Sequence, residues 1–328
     1  MKHLLYLCYK SLDGGRMNNQ EMNSIYERTL LTKVVWMYYI EEMTQKDIAQ
    51  AIGVSRLKVI KMLDTARSEN LIQFKIPAAD RKKIEVEQTL MKHFNLKDVF
   101  IVPTDGPANI NESIAQAAAM YINDMAGDNT YINMGYGDTL GRVLNNLAHI
   151  SDKRLSIISM TGGVTPYLPN DKSHIFNAQL YLVPSPLLMS SSETAQSILS
   201  EEPIKEIMEM TNLANISVVG IGGMDSESTI IKSNILSKND FIKLEMQGAV
   251  GDILMHFIDK DGNLVHSDIE DKLISTSLNK VKSFGNVIGV AAGKNKIAAI
   301  NASLKGGYIN TLITDENTAK ELIKQHSM

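Results

Sequence analysis

The stretch YINMGYGDTL, residues 131–140, contains an apolar strand-forming run, a turn with two glycines and the start of a helix. Along that helix, apolar residues recur at three- and four-residue spacing, as one helical face requires: Leu140, Val143, Leu144 and Leu147. Similar apolar runs occupy residues 155–160, 216–219, 287–291 and 311–314. Most of these runs also end in glycine turns, and strand, glycine turn and helix in repeating order predict a doubly wound α/β sheet.

The glycine turns all follow strands, so we expect them to gather at one edge of the sheet, where such folds bind ligands. The turn at residues 135–139 is the main candidate for an anion site, because its two glycines allow close backbone approach and Thr139 adds a hydroxyl. Asp252 is a candidate acceptor for ligand hydroxyls, and Lys296 a candidate partner for a phosphate. The alternatives are ordinary turn chemistry for the glycines, a local cap for Asp252 and a solvated lysine at 296.

The first 80 residues show helical periodicity instead. Residues 27–40 predict one helix, Thr44 caps a second that ends at Gly53, and Ser55 caps a third. Two short helices joined by a tight glycine turn are typical of a helix-turn-helix. Residues 55–67 carry a net charge of +3 in a chain whose net charge is −4, so the third helix is a local basic patch.

That patch predicts contact with double-stranded operator DNA, because a recognition helix contacts bases near its amino terminus and phosphates around it. The candidate DNA-binding residues are Thr44, Gln45, Ser55, Arg56, Leu57, Lys58 and Lys61. Taken singly, Arg56 and Lys58 are better explained as part of a solvated helix face, and it is their combination with the turn and the cap that favours DNA binding. One helix-turn-helix covers a half-site, which predicts a homodimer or homotetramer on a two-fold operator.

These patterns divide the chain into three segments. Residues 1–24 are expected to be a disordered tail or a start codon assigned too early, residues 25–80 a helix-turn-helix domain, and residues 84–328 an α/β effector-binding domain. Apolar and polar residues partly alternate over residues 71–76, which predicts the wing of a winged helix. The polar residues 78–83 predict a linker, and residues 255–262 predict a hairpin with an Asp-Gly turn.

Composition excludes several classes of protein. The chain has one cysteine, Cys8, which makes an intramolecular disulfide or a thiolate metal site impossible and favours the cytoplasm. The apolar residues 4–9 are too few for a signal peptide, and no apolar run reaches the roughly 20 residues that span a bilayer. The 135–139 turn lacks the lysine of a P-loop and the spacing of a dinucleotide fingerprint. We therefore expect no cofactor, no metal and no catalytic residues.

Three blocks of sequence resemble the SorC family of sugar-responsive bacterial regulators: MTQKDIAQAIGVSRLKVIKMLDTARSENLIQFKI at 43–76, GAVGDI at 248–253 with FIDKDG after it, and AAGKNKIAAINASLKGGYINTLITDENTA at 291–319. The resemblance extends from about Leu30 to Leu322. It implies a cytoplasmic repressor that leaves its operator when a small phosphorylated sugar binds. It also implies an effector domain similar in fold to sugar-phosphate isomerases, which keeps an enzyme of the isomerase or deaminase type as a remote alternative.

The resemblance assigns a phosphate loop to residues 135–139, a hydroxyl-binding carboxylate to Asp252 and a cation to Lys296. The implied effector contacts are Gly135, Tyr136, Gly137, Asp138, Thr139, Gly162, Gly163, Gly222, Asp252 and Lys296. TGGV at 161–164, VPSP at 183–186 and KGGYIN at 305–310 are similar to the branch that controls uptake of the quorum signal autoinducer-2. Phosphorylated autoinducer-2 is therefore the expected effector, with another sugar or polyol phosphate as the alternative. Ala292-Gly293 stands where relatives often have two glycines, which narrows the pocket.

Overall fold

The computed structural model describes residues 19–104, 109–163, 178–225 and 228–326. The chain divides into two compact units on either side of Pro77. Of the expected tail at residues 1–24, residues 1–18 lie outside the described ranges. Residues 19–24 belong to the first helix, so this part of the expected tail is helical.

In the part of the first unit that the structure describes, residues 19–77, there are three helices, α1 (Asn19–Tyr39), α2 (Gln45–Ile52) and α3 (Arg56–Ser68). The Thr44 side chain caps α2 by accepting a hydrogen bond from the Asp47 amide, and Ser55 caps α3 in the same way through the Lys58 amide. Gly53 ends α2 with a φ of 70°, a left-handed conformation that glycine adopts without steric cost. A small core holds the helices together: Val34, Met37, Ile48, Ala49, Val59 and Leu63.

Two sequence predictions at the end of this unit are wrong. Residues 71–77 form no strand, so the expected wing is absent, and the ring of Phe74 instead contacts Tyr39 edge-on at 5.8 Å. A single short run without a neighbouring strand has no ladder to join. The expected linker at 78–83 forms the first turns of α4 (Ala78–Phe94). Its polar face had suggested a linker, but the opposite face carries Leu90, which is buried.

Among its described residues the second unit has ten strands: β1 (Asp98–Val102), β2 (Thr130–Met134), β3 (Leu155–Gly162), β4 (Ala178–Val183), β5 (Ile216–Gly220), β6 (Gly222–Gly223), β7 (Ala249–Ile253), β8 (His256–Asp259), β9 (Val287–Val290) and β10 (Thr311–Asp315). Seven of them form one parallel sheet in the order β1-β10-β9-β5-β2-β3-β4, and β6, β7 and β8 form a small antiparallel sheet. The five strands predicted from the sequence are all in the parallel sheet, and the predicted α/β class is confirmed.

The helices that follow α4 are α5 (Ile110–Met125), α6 (Asp138–Ile150), α7 (Ser192–Ser200), α8 (Glu202–Met210), α9 (Thr229–Lys232), α10 (Lys238–Met246), α11 (Leu278–Ser283), α12 (Ile297–Lys305) and α13 (Glu316–His326). Core residues lie on both faces of the sheet. Neighbouring residues of one strand, such as Leu312 and Ile313 of β10, belong to different core clusters because successive side chains point to opposite faces. A parallel sheet covered on both faces leaves mainly the ends of its strands free for ligands.

The strand order reverses direction between β2 and β5. From β2 the chain continues outward to β3 and β4, whereas from β5 it continues the other way to β9 and β10. Such a reversal opens a crevice beyond the carboxyl ends of the two central strands, where α/β sheets bind ligands. No helix within the described ranges is long and apolar enough to cross a membrane.

A tight hairpin that the sequence did not indicate joins β7 to β8. Its two turn residues, Leu254 and Met255, have φ values of 55° and 67°, a left-handed conformation unusual for such side chains. Residues 255–262 were expected to be the hairpin. The turn at Asp261-Gly262 is present, with a hydrogen bond from the Gly262 amide to the Asp259 carbonyl, but it closes on a single bridge, Ile258 to Leu264.

Candidate functional site

A cavity of about 700 Å³ lies at the carboxyl ends of β2, β5 and β9. Its walls include the turn after β2 with the start of α6, the turn after β5, the turn after β9 and the β7–β8 hairpin, and the start of α5 and helix α9 also contribute. The strand order explains why these turns lie close together, because β2, β5 and β9 are neighbours at the point where the strand order reverses direction. Most of the predicted glycine turns therefore meet at one edge, as expected.

The turn after β2 presents hydrogen-bond donors to the cavity. Gly137, with a φ of 127°, begins α6, and no side chain of the described residues caps this helix start. Thr139, only 7% exposed, lines the cavity, and no described residue is hydrogen-bonded to its hydroxyl. The free amides of the first helical turn and this hydroxyl form an arrangement that binds anions.

Gly135 is placed differently from the prediction. It is buried and does not line the cavity, and its amide donates to the Val218 carbonyl at 2.8 Å. A Cβ at this position would lie 2.8 Å from a methyl carbon of Leu254. Gly135 therefore allows the β7–β8 hairpin to pack closely against the turn, and its role is steric.

The carboxylate of Asp252 forms one wall of the cavity. It is 7% exposed, and its Oδ2 accepts a hydrogen bond from the Met255 amide at 3.1 Å. Burial raises the pKa of Asp252 to about 6, and the positive charges of Lys296 and His256 act in the opposite direction. Asp252 therefore changes charge close to neutral pH while it faces a cavity large enough for a small ligand.

Gly222 is required by the position of this carboxylate. It pairs with Asp252 in the small sheet, and a Cβ at Gly222 would lie only 1.9 Å from Asp252 Oδ1. The next residue, Gly223, is equally constrained, since its Cβ would lie 2.6 Å from the Asn295 carbonyl oxygen. Strand β6, which these two glycines form, is thus in close contact with the Asp252 carboxylate and with the turn after β9.

Lys296 ends the short 3₁₀ turn Lys294–Lys296 and lines the cavity. Burial lowers the pKa of its ammonium group, and the carboxylates of Asp252, Asp225 and Asp138 counteract this effect. The preceding Gly293 is fixed in place, because its amide donates to Thr318 Oγ1 at 2.9 Å and to Asp315 Oδ2 at 3.3 Å. These two hydrogen bonds therefore hold in place the turn that carries Lys296.

Arg142 also lines the cavity, and the sequence analysis missed it. Its guanidinium donates to Asp138 Oδ2 at 2.9 Å and to Glu112 Oε2 at 2.7 Å. These bonds raise the pKa of Arg142, while hydrogen bonds from Asn146 and Arg142 lower the pKa of Glu112. The four-residue spacing of Asp138 and Arg142 on one helix was the available signal.

Gly162 and Gly163 do not line the cavity, contrary to the prediction. The Gly162 amide donates to the Ile274 carbonyl and the Gly163 amide to the Ser185 carbonyl, both at 2.8 Å. Gly162 ends β3 and Gly163 follows it, and β3 lies on the far side of β2 from β5. The reversal of strand order therefore separates this turn from the crevice.

The predicted DNA-binding residues lie at two helix starts, Thr44 and Gln45 at that of α2 and the other five at that of α3. Arg56, Leu57 and Lys58 of its first turn are exposed, as is Lys61 one turn later, while Ser55 caps the helix. Arg56 Nε donates to Gln45 Oε1 at 3.4 Å and thus connects the starts of α2 and α3. Within the described ranges, no group of three or more histidine, cysteine, aspartate or glutamate side chains is placed to hold a metal ion.

Comparison with known proteins defines the class. Residues 81–324 match the family described as "Putative sugar-binding domain". The chain has the same fold as the full-length sorbitol operon regulator SorC from Klebsiella pneumoniae, with a TM-score of 0.65 and 23% identity over 90% of this chain and 98% of that one. A transcriptional regulator from Streptococcus pneumoniae TIGR4 gives a TM-score of 0.67 and 24% identity over 76% and 99% of the two chains. This protein belongs to the SorC family of sugar-binding transcriptional regulators.

Within that class the chain is similar to proteins named transcriptional regulator LsrR. It is 30% identical to LsrR of Escherichia coli (strain K12) over 302 residues, which cover 91% of this chain and 95% of the relative. It is 29% identical to LsrR of Klebsiella pneumoniae subsp. pneumoniae over 304 residues, 92% and 94% of the two chains. The resemblance to the SorC family found in the sequence is confirmed.

Proposed function

We propose that this protein is a cytoplasmic repressor that leaves its operator when a small phosphorylated sugar occupies the cavity. The observation that carries the proposal is the start of α6, where no side chain of the described residues caps the helix and none is hydrogen-bonded to the Thr139 hydroxyl, in the lining of the same cavity as Asp252. Backbone amides and a hydroxyl suit a phosphate, and a buried carboxylate suits sugar hydroxyls. The volume of about 700 Å³ is typical of sites for small ligands.

For the identity of the effector we propose phosphorylated autoinducer-2. The support is the sequence similarity to the LsrR proteins and the blocks at 161–164, 183–186 and 305–310. Another sugar or polyol phosphate is the alternative, because the donors and the carboxylate suit any small phosphorylated polyol. A thermal-shift screen of the purified protein against phosphorylated autoinducer-2 and pentose, hexose and polyol phosphates separates these two possibilities.

At the other end of the chain we propose that α2 and α3 form a helix-turn-helix that binds operator DNA. The support is the capped pair of helices around Gly53 and the exposed, basic first turn of α3. Base contacts would come from Arg56, Leu57 and Lys58, with Thr44, Gln45, Ser55 and Lys61 on the phosphates. A homodimer or homotetramer would place two such units on a two-fold operator.

Substitution of Lys296 tests whether effector binding in the cavity controls the release of operator DNA. The Lys296→Ala variant is expected to bind operator DNA as the wild type does. It should need at least tenfold more effector for release, because it loses a cation from the cavity wall. A tenfold change corresponds to about 1.4 kcal/mol. Lys294→Ala is the matched control, since Lys294 belongs to the same turn but is not part of the cavity lining. Fluorescence anisotropy of labelled operator DNA, titrated with effector, measures release. Equal responses of both variants would remove Lys296 from the site.

A further inference from the structure

The amino half of helix α1 lies outside the core of the first unit. All residues from 20 to 29 are exposed, and the buried residues of α1 begin at Leu31. A helical segment of about ten residues is marginal in water, where isolated helices need roughly 12–15 residues. This half of α1 therefore gains stability when another surface covers it.

Exposed side chains in and just after α1 form a regular row. Its members follow one another at alternating spacings of four and three residues, and all are exposed: Met22, Tyr26, Thr29, Lys33, Trp36 and Ile40. With about 3.6 residues per turn, these positions share one face of the helix, beside the face that buries Leu31 and Val34. Alternating spacings of four and three are the seam along which two helices of a coiled coil meet. We call this face the α1 seam.

A hollow of about 460 Å³ lies within the α1 seam. Its walls include Thr29, Thr32, Lys33 and Trp36, which are related as i, i+3, i+4 and i+7. Four residues in this relation form the hole that receives a side chain of the facing helix in a coiled coil. The hollow therefore has the arrangement that accepts a side chain from another helix.

The same helix carries a side chain for this hollow. Tyr26 is 67% exposed, and the centre of the hollow lies between Thr32 and Lys33. If two copies of α1 run antiparallel with Tyr26 of each in the hollow of the other, the two-fold axis passes near Thr29. Thr29 is also the midpoint of α1 (Asn19–Tyr39), so the two helices overlap over their full length. The seam is thus complementary to itself, as a two-fold interface requires.

The other residues of the α1 seam are also matched in this register. Lys33 of one copy lies opposite Tyr26 of the other, where its ammonium group can interact with the face of the ring. The two Lys33 residues are about 12 Å apart along the helices, at about 1.5 Å per residue, so the seam brings no like charges together. Trp36, the single tryptophan of the chain, lies opposite Met22, and tryptophan is enriched at protein interfaces.

We propose that α1 pairs antiparallel with α1 of a second copy of this chain, and that this pairing sets the separation of the two recognition helices on an operator. The part that concerns DNA rests on the proposed function of α2 and α3. Two such helices must lie about 34 Å apart to enter successive major grooves on one side of the duplex. A contact between the two helix-turn-helix units holds them at a fixed separation.

Cross-linking of single-cysteine variants of the full chain tests the pairing. Cys8→Ser removes the one native cysteine, and Thr29→Cys is added in that background. Paired helices have axes about 8–10 Å apart and Cα atoms about 2.3 Å from each axis, which places the two Cα atoms at position 29 about 5 Å apart. A disulfide needs roughly 4.4–6.8 Å. Mild oxidation and non-reducing electrophoresis should therefore show a linked dimer.

Two controls make this result specific. Met22→Cys is in the same seam, but antiparallel pairing places its two copies about 21 Å apart. Glu27→Cys is also exposed and close to the axis, but it lies on the opposite side of the helix. We expect at least tenfold more linked dimer for Thr29→Cys than for either control. No dimer at Thr29→Cys, equal linking at Glu27→Cys or preferential linking at Met22→Cys would each overturn the proposal.

Charged residues at position 26 test the consequence for DNA binding. Tyr26→Lys places two ammonium groups opposite each other across the seam, whereas Tyr26→Glu can pair with Lys33 of the other copy. Tyr26→Lys should therefore weaken binding to an operator with two half-sites at least tenfold, and more than Tyr26→Glu does. A direct effect on DNA phosphates would give the reverse order, because added positive charge strengthens such binding. Fluorescence anisotropy of labelled duplexes measures both variants.

A duplex with a single half-site is the matched control for the DNA. Both variants should bind it as the wild type does, since one half-site needs one unit. Equal losses on the two duplexes, or the reverse order of the two variants, would overturn the role of the α1 seam in operator binding. If the wild type binds no DNA at all, the proposed function of α2 and α3 fails, while the cross-linking still decides whether α1 pairs.

Discussion

At the scale of single residues, the contact between Gly222 and Asp252 is the most restrictive in the site. A Cβ at Gly222 would overlap Asp252 Oδ1, so Gly222→Ala must displace the carboxylate, the hairpin or both. We expect this variant to lose effector-dependent release of DNA, with binding at least tenfold weaker and DNA affinity unchanged, because a small misplacement of a hydrogen-bonding group costs more than 1.4 kcal/mol. Anisotropy titrations with operator DNA and effector measure both quantities.

Gly285→Ala provides the matched control for this substitution. A Cβ at Gly285 has no neighbouring atom within 4 Å, and Gly285 is not among the residues that line the cavity. It should respond to effector as the wild type does. If Gly222→Ala were also fully responsive, the carboxylate at 252 would not be needed in its present position.

The sequence identified part of the site at this scale and missed the rest for a physical reason. Thr139, Gly222 and Lys296 were expected, because each lies in or near a turn that follows a strand. Asp252 was expected as an acceptor for ligand hydroxyls. Arg142 was missed. Its hydrogen bond to Glu112 of α5 depends on tertiary folding, and no local spacing indicates it.

At the scale of elements, β1 is an edge strand whose outer side is partly closed by a helix. The Ile101 amide donates to Glu87 Oε1 of α4 at 3.0 Å. Glu87→Ala would leave this amide unpaired, which we expect to lower the free energy of unfolding by about 1–3 kcal/mol and to promote association through the exposed edge. Urea titration and light scattering measure the two effects. Glu85→Ala, an exposed acid on the same helix, should change neither.

Elements that pack against neighbours in the sequence, or that match a helix or strand pattern along their whole length, were predicted correctly. The strands before the glycine turns and the capped helices α2 and α3 are found where the sequence indicated them. The errors concern elements that depend on distant partners. Residues 78–83 begin a helix because α4 packs against β1 and α13, and α13 comes from the other end of the chain. Leu254 and Met255 make a hairpin turn because their buried side chains hold it, although neither is a usual turn residue.

At the scale of the whole molecule, the two units differ greatly in the size of their cores. Residues 19–77 of the first unit form one small core cluster, and the described residues of the second unit form large clusters on both faces of its sheet. We therefore expect two transitions in scanning calorimetry, with the first unit unfolding at the lower temperature. An effector at a hundredfold excess over its dissociation constant should stabilise the second unit by about 2.7 kcal/mol and raise the upper transition. An equal rise of both transitions would show that the units unfold together.

The pairing of β1 with β10 has a consequence for the order in which a working molecule is made. Asp98 of β1 lies beside Thr311 of β10. The first strand of the second unit therefore cannot pair until nearly the whole chain has been synthesised. At about 5–20 residues per second, a ribosome needs roughly 10–40 s to synthesise the chain between them. The three helices of the first unit have left the ribosome long before that. For this interval a nascent chain has the helices proposed to contact DNA but no finished pocket. On the proposed function, such a chain would bind operator DNA before it can bind the effector that releases it.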